Sequence, residues 1–375
     1  MRIGIDTRDL KTATTGQKTY LEELCKAFSQ HKDDGFTFIY FTSSVPQYKG
    51  KNKFFKIAEQ LSLHFWKQCI LPLKAAWNRC DILLCTDYFV PYMHPGFKTA
   101  VVFHDAFFFE HKEHYHPLQI ALFKHLALPS AKRCTYIIVP SEYSRQQIIK
   151  HYTQLPPEKL VVVYEGPKSL THYAENDKGA EILLRLGIEP QSYLLHVGVM
   201  NKRKNIPALI YAFKKVRDKG HPFKLVLAGS LHTSRYIDDS EAILAAIAAT
   251  GLEQDIILTG YIADNELAAL YRHAFMYVFP SINEGFGLPV LEAFAYRLPV
   301  IVADNTCLPE IGGDAVLTFN PFDVNDIAAR IELLINEPET REQLQQKGAL
   351  RRQLFSWEKA ADSILSLFRK ALSHK

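Results

Sequence analysis

No C-x-x-C pair, no low-complexity segment and no apolar run long enough to cross a membrane occurs in this 375-residue chain. The six cysteines (Cys25, Cys69, Cys80, Cys85, Cys134 and Cys307) are scattered. That spacing excludes a disulfide framework and a zinc site, and it fits a reducing cytosol. A membrane span needs roughly 20 consecutive apolar residues, and none is found. The N-terminus, Met1-Arg2-Ile3-Gly4-Ile5-Asp6, enters a strand pattern directly, with no signal-peptide core. The expected location is therefore the cytoplasm. No recognised nucleic-acid-binding module appears, so nucleic acid is not an expected partner.

The chain has an ordinary globular composition, 47% hydrophobic and 22% charged. Its length exceeds one usual core and predicts two domains. The charge is uneven. Residues 1–170 hold 22 Lys+Arg against 15 Asp+Glu, a balance of +7, and the remainder carries −3 of the total +4. A basic first half suits an acidic partner such as phosphate or an anionic membrane.

Apolar, β-prone runs alternate with helical patterns throughout. Strands are expected near 2–5, 36–41, 82–85, 99–103, 135–139 and 160–163, then near 192–197, 224–228, 255–259, 276–279, 299–302 and 315–318. Helices fall between them, among them 17–29, 53–77, 206–219 and 289–296. The alternation predicts an α/β fold of parallel sheets covered on both faces. Twelve strands divide into two Rossmann-like units, with a polar, turn-rich linker over 166–180. Ligands of such sheets bind beyond the carboxyl ends of the strands.

The densest signal is Ser281-Ile282-Asn283-Glu284-Gly285-Phe286-Gly287-Leu288-Pro289-Val290-Leu291-Glu292-Ala293. It reads as the end of a strand, a glycine turn and a helix start, with Pro289 where no backbone donor is needed. A glycine turn before a helix lets an anion approach backbone N–H groups. Carboxylates beside such a site accept hydrogen bonds from hydroxyls, so phosphate and polyol together point to a nucleotide sugar. A solvated acidic pair at a helix start is the plainer alternative for either glutamate alone.

This stretch resembles the E-x7-E signature of retaining GT-B glycosyltransferases, in particular family 4, which includes mannosyltransferases of bacterial polysaccharide synthesis. The resemblance implies two Rossmann-like domains facing across a cleft. It places the donor sugar at Glu284, the ribose at Glu292, and the sugar and diphosphate along the backbone of Gly285, Phe286, Gly287 and Leu288. Further segments extend it. Gly198-Val199-Met200-Asn201-Lys202-Arg203-Lys204-Asn205 is similar to the family's phosphate-binding loop, which implies that Gly198, Arg203 and Lys204 meet the leaving diphosphate. Val199 stands where relatives often carry an arginine. Val102-Phe103-His104-Asp105 resembles the family's I-H-D, which implies that His104 reaches the donor sugar. Asp105 is the expected orienting carboxylate, with Ala106-Phe107-Phe108-Phe109 packed behind. Thr14-Thr15-Gly16-Gln17-Lys18-Thr19-Tyr20 is similar to the family's G-x-G-x-Y loop. Gly16 and Lys18 are then donor-side candidates; Lys18 replaces a glycine and is expected either to reshape the loop or to add a cation near the phosphates or an anionic acceptor. Ser356-Trp357-Glu358 and the helix after it resemble the segment that crosses back to the first domain.

No D-x-D occurs in the chain, whereas metal-dependent sugar-nucleotide transferases commonly hold a divalent cation with one. The expectation is a leaving diphosphate stabilised by protein cations, with no metal and no cofactor beyond the nucleotide-sugar substrate. The domains are read as 1–170, on the acceptor side, and 171–356, binding the nucleotide sugar, with 357–375 returning to the first. The activity expected is retaining transfer of a sugar, mannose from GDP-mannose as first choice, to a glycan or lipid-linked glycan. A non-catalytic nucleotide-sugar-binding subunit and a GT-B epimerase stay open as alternatives. One segment bears on location. Lys51 to Lys67 mixes aromatic and basic residues as membrane-surface helices do, yet Leu61, Phe65 and Trp66 have core spacing. An ordinary packed helix is expected there, with peripheral attachment to the inner membrane face held as the second reading.

Overall fold

The computed structural model describes all residues except 13–15, 34, 44–47, 49, 51, 108–114, 171–179, 232–236 and 374–375, and it leaves the side chains of residues 12, 53, 56 and 180 undescribed. The chain divides into two compact units, Met1–Glu165 with Trp357–Lys375, and Gly166–Ser356. The sequence-predicted linker lies mostly outside the described residues.

The first unit holds β1 (Arg2–Asp6), β2 (Thr37–Phe41), β3 (Ile82–Cys85), β4 (Lys98–Val102), β5 (Tyr136–Val139) and β6 (Leu160–Val162), in the order β2-β1-β3-β4-β5-β6. The second holds β7 (Tyr193–Val197), β8 (Lys224–Ala228), β9 (Ile256–Gly260), β10 (Met276–Phe279), β11 (Val300–Ala303) and β12 (Val316–Phe319), in the order β12-β11-β10-β7-β8-β9. Every neighbouring pair is parallel. Ile82–Cys85, Met276–Phe279 and Val300–Ala303 are buried at every residue. Continuous apolar runs of this kind suit central strands covered on both faces. All twelve expected strands form. The strand order reverses between β1 and β3 in the first sheet and between β7 and β10 in the second. The loops after these strands therefore lie at topological switch points, where open α/β sheets take their ligands.

Six helices matter below: α1 (Gly16–Gln30), α2 (Lys53–Phe65), α3 (Leu71–Trp77), α4 (Ile206–Asp218), α5 (Leu288–Ala295) and α6 (Trp357–Ser373). The long helix expected over 53–77 is α2 and α3 joined by a π turn, Trp66–Ile70. Helix α6 packs on the first unit, burying Ile364, Leu365 and Phe368, with the Trp357 ring edge-on to Tyr20 at 5.3 Å. Ser141 caps the helix Glu142–His151, accepting from Ser144 N at 3.0 Å. Among the described residues no helix is long and apolar enough to cross a membrane.

Two expectations are overturned. Gly16 to Tyr20 form the start of α1, so Lys18 has right-handed helical backbone and needs no positive φ. Its ammonium pairs with Glu22 one turn on, at 3.6 Å. Thr14 and Thr15 of the same expected loop lie outside the described residues. In α2, the core spacing read from Leu61, Phe65 and Trp66 holds for Trp66 alone. Leu61 and Phe65 are exposed.

At the switch point of the first sheet, the π turn buries Lys67. Its Nζ donates to Asp6 at the end of β1 and to Asp87 beyond β3, each at 2.5 Å. Arg8 adds ion pairs to Asp87 at 2.7 Å and to Asp9 at 2.9 Å. A buried ammonium is tolerated only with such partners, and these contacts lock the π turn to two strand ends.

Candidate active site

Two segments eighty residues apart meet at the β7–β10 switch point. After β7 the backbone turns at Gly198, whose φ of +150° disfavours any side chain, and a Cβ there would stand 3.2 Å from Lys204 Cε. Asn201 then accepts from Arg203 N at 3.1 Å and holds Lys202–Lys204 in a 3₁₀ turn. Asn205, at the N-cap position of α4, adopts the left-handed conformation, and its side chain donates to the Pro321 carbonyl at 2.8 Å. The side chain thus fixes the turn to the chain beyond β12 and makes no capping bond to α4, whose Leu209 N donates to the Asn205 carbonyl.

The segment after β10 docks on this turn by three contacts. Ile282 N donates to the Arg203 carbonyl at 2.8 Å. Arg203 Nη1 donates to the Asn283 carbonyl at 3.3 Å. Lys204 Nζ donates to Glu284 Oε1 at 2.6 Å. The lysine also lies 4.6 Å over the Phe279 ring, a cation–π contact from β10. Burial pushes the Glu284 carboxyl up, but Lys204, Arg203 and the hydrogen bonds to it outweigh burial and hold it below the usual range. Glu284 is thus a buried, ionised acceptor, and Cys307 Sγ donates to its backbone carbonyl at 3.3 Å.

Beyond Glu284, Gly285 to Gly287 form the expected turn. Gly287 precedes α5 with φ +96°, and a Cβ there would meet Leu308 Cδ2 at 2.9 Å. The left-handed φ favours glycine at that position, and a larger residue would also displace the Leu308 side chain. The Phe286 ring is buried and stands edge-on to Phe355, with centroids 6.0 Å apart. Leu288 and Pro289 open α5. Glu292, one turn on, is buried and accepts from the Tyr271 hydroxyl at 2.9 Å. Burial together with Glu292 pushes the Tyr271 phenol well above its usual range, so it stays a donor. The neighbouring Tyr277 phenol is also raised, by burial and then by Glu292 and Glu284. Both carboxylates therefore act on one small region of the sheet end.

The first unit carries its own cluster. His104 lies just beyond β4, with Nε2 2.9 Å from the Thr86 carbonyl. Its Nδ1 is 3.8 Å from Glu165 Oε1, just beyond β6. The expected orienting partner, Asp105, accepts from Phe107 N at 3.1 Å. Asp105 also accepts from the Tyr88 phenol, and Glu165 is the carboxylate that stands against Nδ1 of the imidazole. Burial lowers the His104 pKa, but Glu165 and the Thr86 carbonyl more than reverse this, and the net shift is upward. The Tyr20 ring stands edge-on to the imidazole at 5.0 Å. Ala106 and Phe107 are buried behind it as expected, while Phe108 and Phe109 lie outside the described residues. Gly16 is exposed at the first turn of α1.

Sequence reasoning missed Glu165, Tyr271 and His196. Glu165 offered the same signal as His104, a titratable residue directly past a strand. His196 lies inside β7, fully buried, and its Nδ1 meets the Val278 carbonyl at 3.0 Å. Burial, with the Lys204 cation beside it, pushes it down to about 3, so it is a neutral imidazole. No periodic signal marks a histidine inside an apolar strand as part of a site.

Comparison with known proteins agrees with this geometry. Residues 14–167 match the model of Glycosyltransferase Family 4, and residues 184–351 match that of Glycosyl transferases group 1. The O-antigen chain mannosyltransferase B of Escherichia coli is 28% identical over 394 residues, covering 98% of this chain and 100% of that protein. The serotype-specific mannosyltransferase WbdA of Escherichia coli is 30% identical over 284 residues, which is 73% of this chain but 34% of that longer protein. The solved structure of Anabaena HepE in complex with UDP and glucose superposes with a TM-score of 0.72 at 17% identity, covering both chains completely. At that identity the likeness is one of fold. The two parallel sheets are those of the GT-B architecture, and the chain belongs to the glycosyltransferases, with a family 4 domain in its first unit and a group 1 domain in its second.

Proposed function

We propose that this glycosyltransferase moves mannose from GDP-mannose to a growing glycan or lipid-linked glycan, with retention of anomeric configuration and without a metal ion. The acceptor then lies at the cytoplasmic membrane face, with which the enzyme associates peripherally. Mannose is favoured because relatives matched along the chain are mannosyltransferases by name.

The observation that carries the reading is the buried Lys204–Glu284 pair beside Arg203 at the β7–β10 switch point. In this reading Arg203 and Lys204 face the donor diphosphate, and Glu292 accepts from the ribose hydroxyls while Tyr271 fixes its other bond. Glu284 accepts from the sugar. In the transfer step the bond from the anomeric carbon to the diphosphate oxygen breaks, and the bond to the acceptor hydroxyl forms on the same face. The acceptor proton passes to the departing phosphate, whose charge the two cations hold. Preorganised charges of this kind are usually the largest single contribution to such a barrier.

The test is a panel of nucleotide sugars, GDP-mannose and UDP-glucose among them, in thermal shift and in transfer to a mannan acceptor. NMR of the product reads the new anomeric centre. A ligand that binds only the native state raises apparent stability. GDP-mannose is expected to give the largest shift and an α-linked product. Stabilisation and turnover by UDP-glucose alone, or a β-linked product, overturns the reading.

A further inference from the structure

The helical run α2 to α3 presents large apolar side chains to solvent. Phe54, Ile57, Leu61 and Phe65 recur along α2 at a spacing of three or four residues and form one stripe. Leu73 and Trp77 continue it one turn apart on α3. Trp77 is 89% exposed, Phe54 72% and Leu73 68%. On the π turn and α3 the opposite side is already satisfied, with Trp66, Leu71 and Ala75 in the core of the first unit. The π turn and α3 anchor the run to the core, and the exposed apolar side is not needed for that packing. Single exposed hydrophobics are unremarkable, but these six, with Phe55 exposed beside them, are an uncovered surface.

The sequence composition of this segment indicates its partner. Residues 49–77 contain six lysines and one acidic residue, Glu59. Lys67 is spent on the buried network, and Lys74 is exposed with its Nζ 5.0 Å over the Trp66 ring. An aromatic and aliphatic stripe on a lysine-rich helix is the composition of helices that lie in a lipid interface, apolar side in the acyl boundary and lysines among anionic headgroups. A second copy of the chain fits poorly. A two-fold interface would set this lysine-rich segment against itself, whereas an anionic bilayer complements it.

We infer that the face formed by Phe54, Ile57, Leu61, Phe65, Leu73 and Trp77 docks the enzyme on an anionic lipid surface. The inference rests on the membrane-side acceptor proposed above for its biological sense, but the docking itself needs no sugar. It gives the first unit's positive balance a partner and sets the enzyme where lipid-linked acceptors lie.

The test uses the full chain with vesicles of phosphatidylethanolamine and phosphatidylglycerol, against vesicles of phosphatidylcholine alone. Wild type is expected to sediment with the anionic vesicles only, less so at high salt. Its tryptophan emission shifts to the blue, because Trp77 enters the interface while Trp66 and Trp357 are already buried. Leu61→Asp with Phe65→Asp should lower the bound fraction about tenfold or more. Trp77→Tyr should abolish the spectral shift. Both variants alter exposed side chains and should keep wild-type melting and wild-type transfer to a water-soluble acceptor. A wild type that transfers sugar but ignores anionic vesicles overturns the docking inference and leaves the functional proposal standing. One that binds vesicles but transfers nothing does the reverse. Equal vesicle binding by the aspartate variant overturns the assignment to this face. A wild-type dimer that the variant dissolves assigns the face to a second copy, and overturns it too.

Discussion

Lys204 and Glu284, eighty residues apart in sequence, form a buried ion pair of 2.6 Å that closes the β7 loop onto the β10 loop. Deleting one member of such a pair strands a charge and typically costs about 3–5 kcal/mol, whereas replacing both is often neutral. Stability and catalysis are therefore separable here. Lys204→Ala should lower the denaturant midpoint and slow transfer. Lys204→Met combined with Glu284→Gln should recover much of the midpoint while transfer stays down about a hundredfold or more, since charge developing on the leaving group keeps no lysine. Recovery of turnover along with stability would mean that the pair is scaffold only.

The two glutamates should separate by ligand. Glu292 is tied to Tyr271, and in the proposed pose it meets the ribose, which the nucleotide sugar and the bare nucleoside diphosphate share. Glu284 meets the sugar, which only the intact donor has. Calorimetric titration of Glu292→Gln should show both ligands weakened by about 1.5–3 kcal/mol, the usual worth of a charged hydrogen bond. Glu284→Gln should leave diphosphate binding nearly intact while cutting turnover. Equal damage to diphosphate binding by both variants would displace the donor sugar from Glu284. Tyr271→Phe should reproduce part of the Glu292→Gln defect in both ligands, because the carboxylate loses the bond that orients it.

Much of this arrangement was legible beforehand, and the exceptions have physical causes. The twelve strands were readable because a central parallel strand must be apolar throughout, as in Met276-Tyr277-Val278-Phe279. Arg203, Lys204, Glu284 and Glu292 were readable because each follows a strand end within a recognisable segment. Their pairing was not. Nothing local to Lys204 says that its partner stands eighty residues on. Glu165 was overlooked because it is distant from His104 in sequence, while the adjacent Asp105 accepts from Phe107 N and the Tyr88 phenol. Lys18 was placed in a reshaped loop because the resemblance puts a glycine at its position, although the helical pattern over 17–29 already included it. The spacing of Leu61 and Phe65 describes an apolar stripe, and a stripe by itself does not say whether a core or a bilayer covers it.

The His104–Glu165 contact makes a pH prediction. The Thr86 carbonyl accepts only, so Nε2 carries a proton, and Nδ1 faces a carboxylate. The charged imidazolium satisfies both, in agreement with the raised pKa. A group raised on folding contributes stability that is fully present below its ordinary value of about 6.5 and is lost as pH rises through the folded value. Of the other groups near the ring, Asp105 also favours the cation, and the Tyr20 and Tyr88 phenols are raised by burial and stay neutral. Glu165→Gln should therefore move the His104 titration, read by NMR of its ring protons, to lower pH. The stability gap between wild type and this variant should be wider at pH 6 than at pH 8. An unmoved titration would mean that Glu165 does not act on the imidazole.

Metal dependence is the sharpest test of the cationic turn. A departing diphosphate needs positive charge, from a divalent ion or from side chains. Arg203 and Lys204 are already anchored, one through the Asn283 carbonyl and the other through Glu284. Such preorganised charge costs no rearrangement during the reaction and is worth a hundredfold to a thousandfold per contact. Wild-type transfer from GDP-mannose should therefore be largely unchanged by EDTA and by added Mg²⁺ or Mn²⁺. The same should hold for Lys204→Ala at its reduced rate, because removing the lysine creates no carboxylate set to hold an ion in its place. Chelation that abolishes wild-type transfer, with recovery on adding Mg²⁺ or Mn²⁺, would transfer the role of Arg203 and Lys204 to a bound cation.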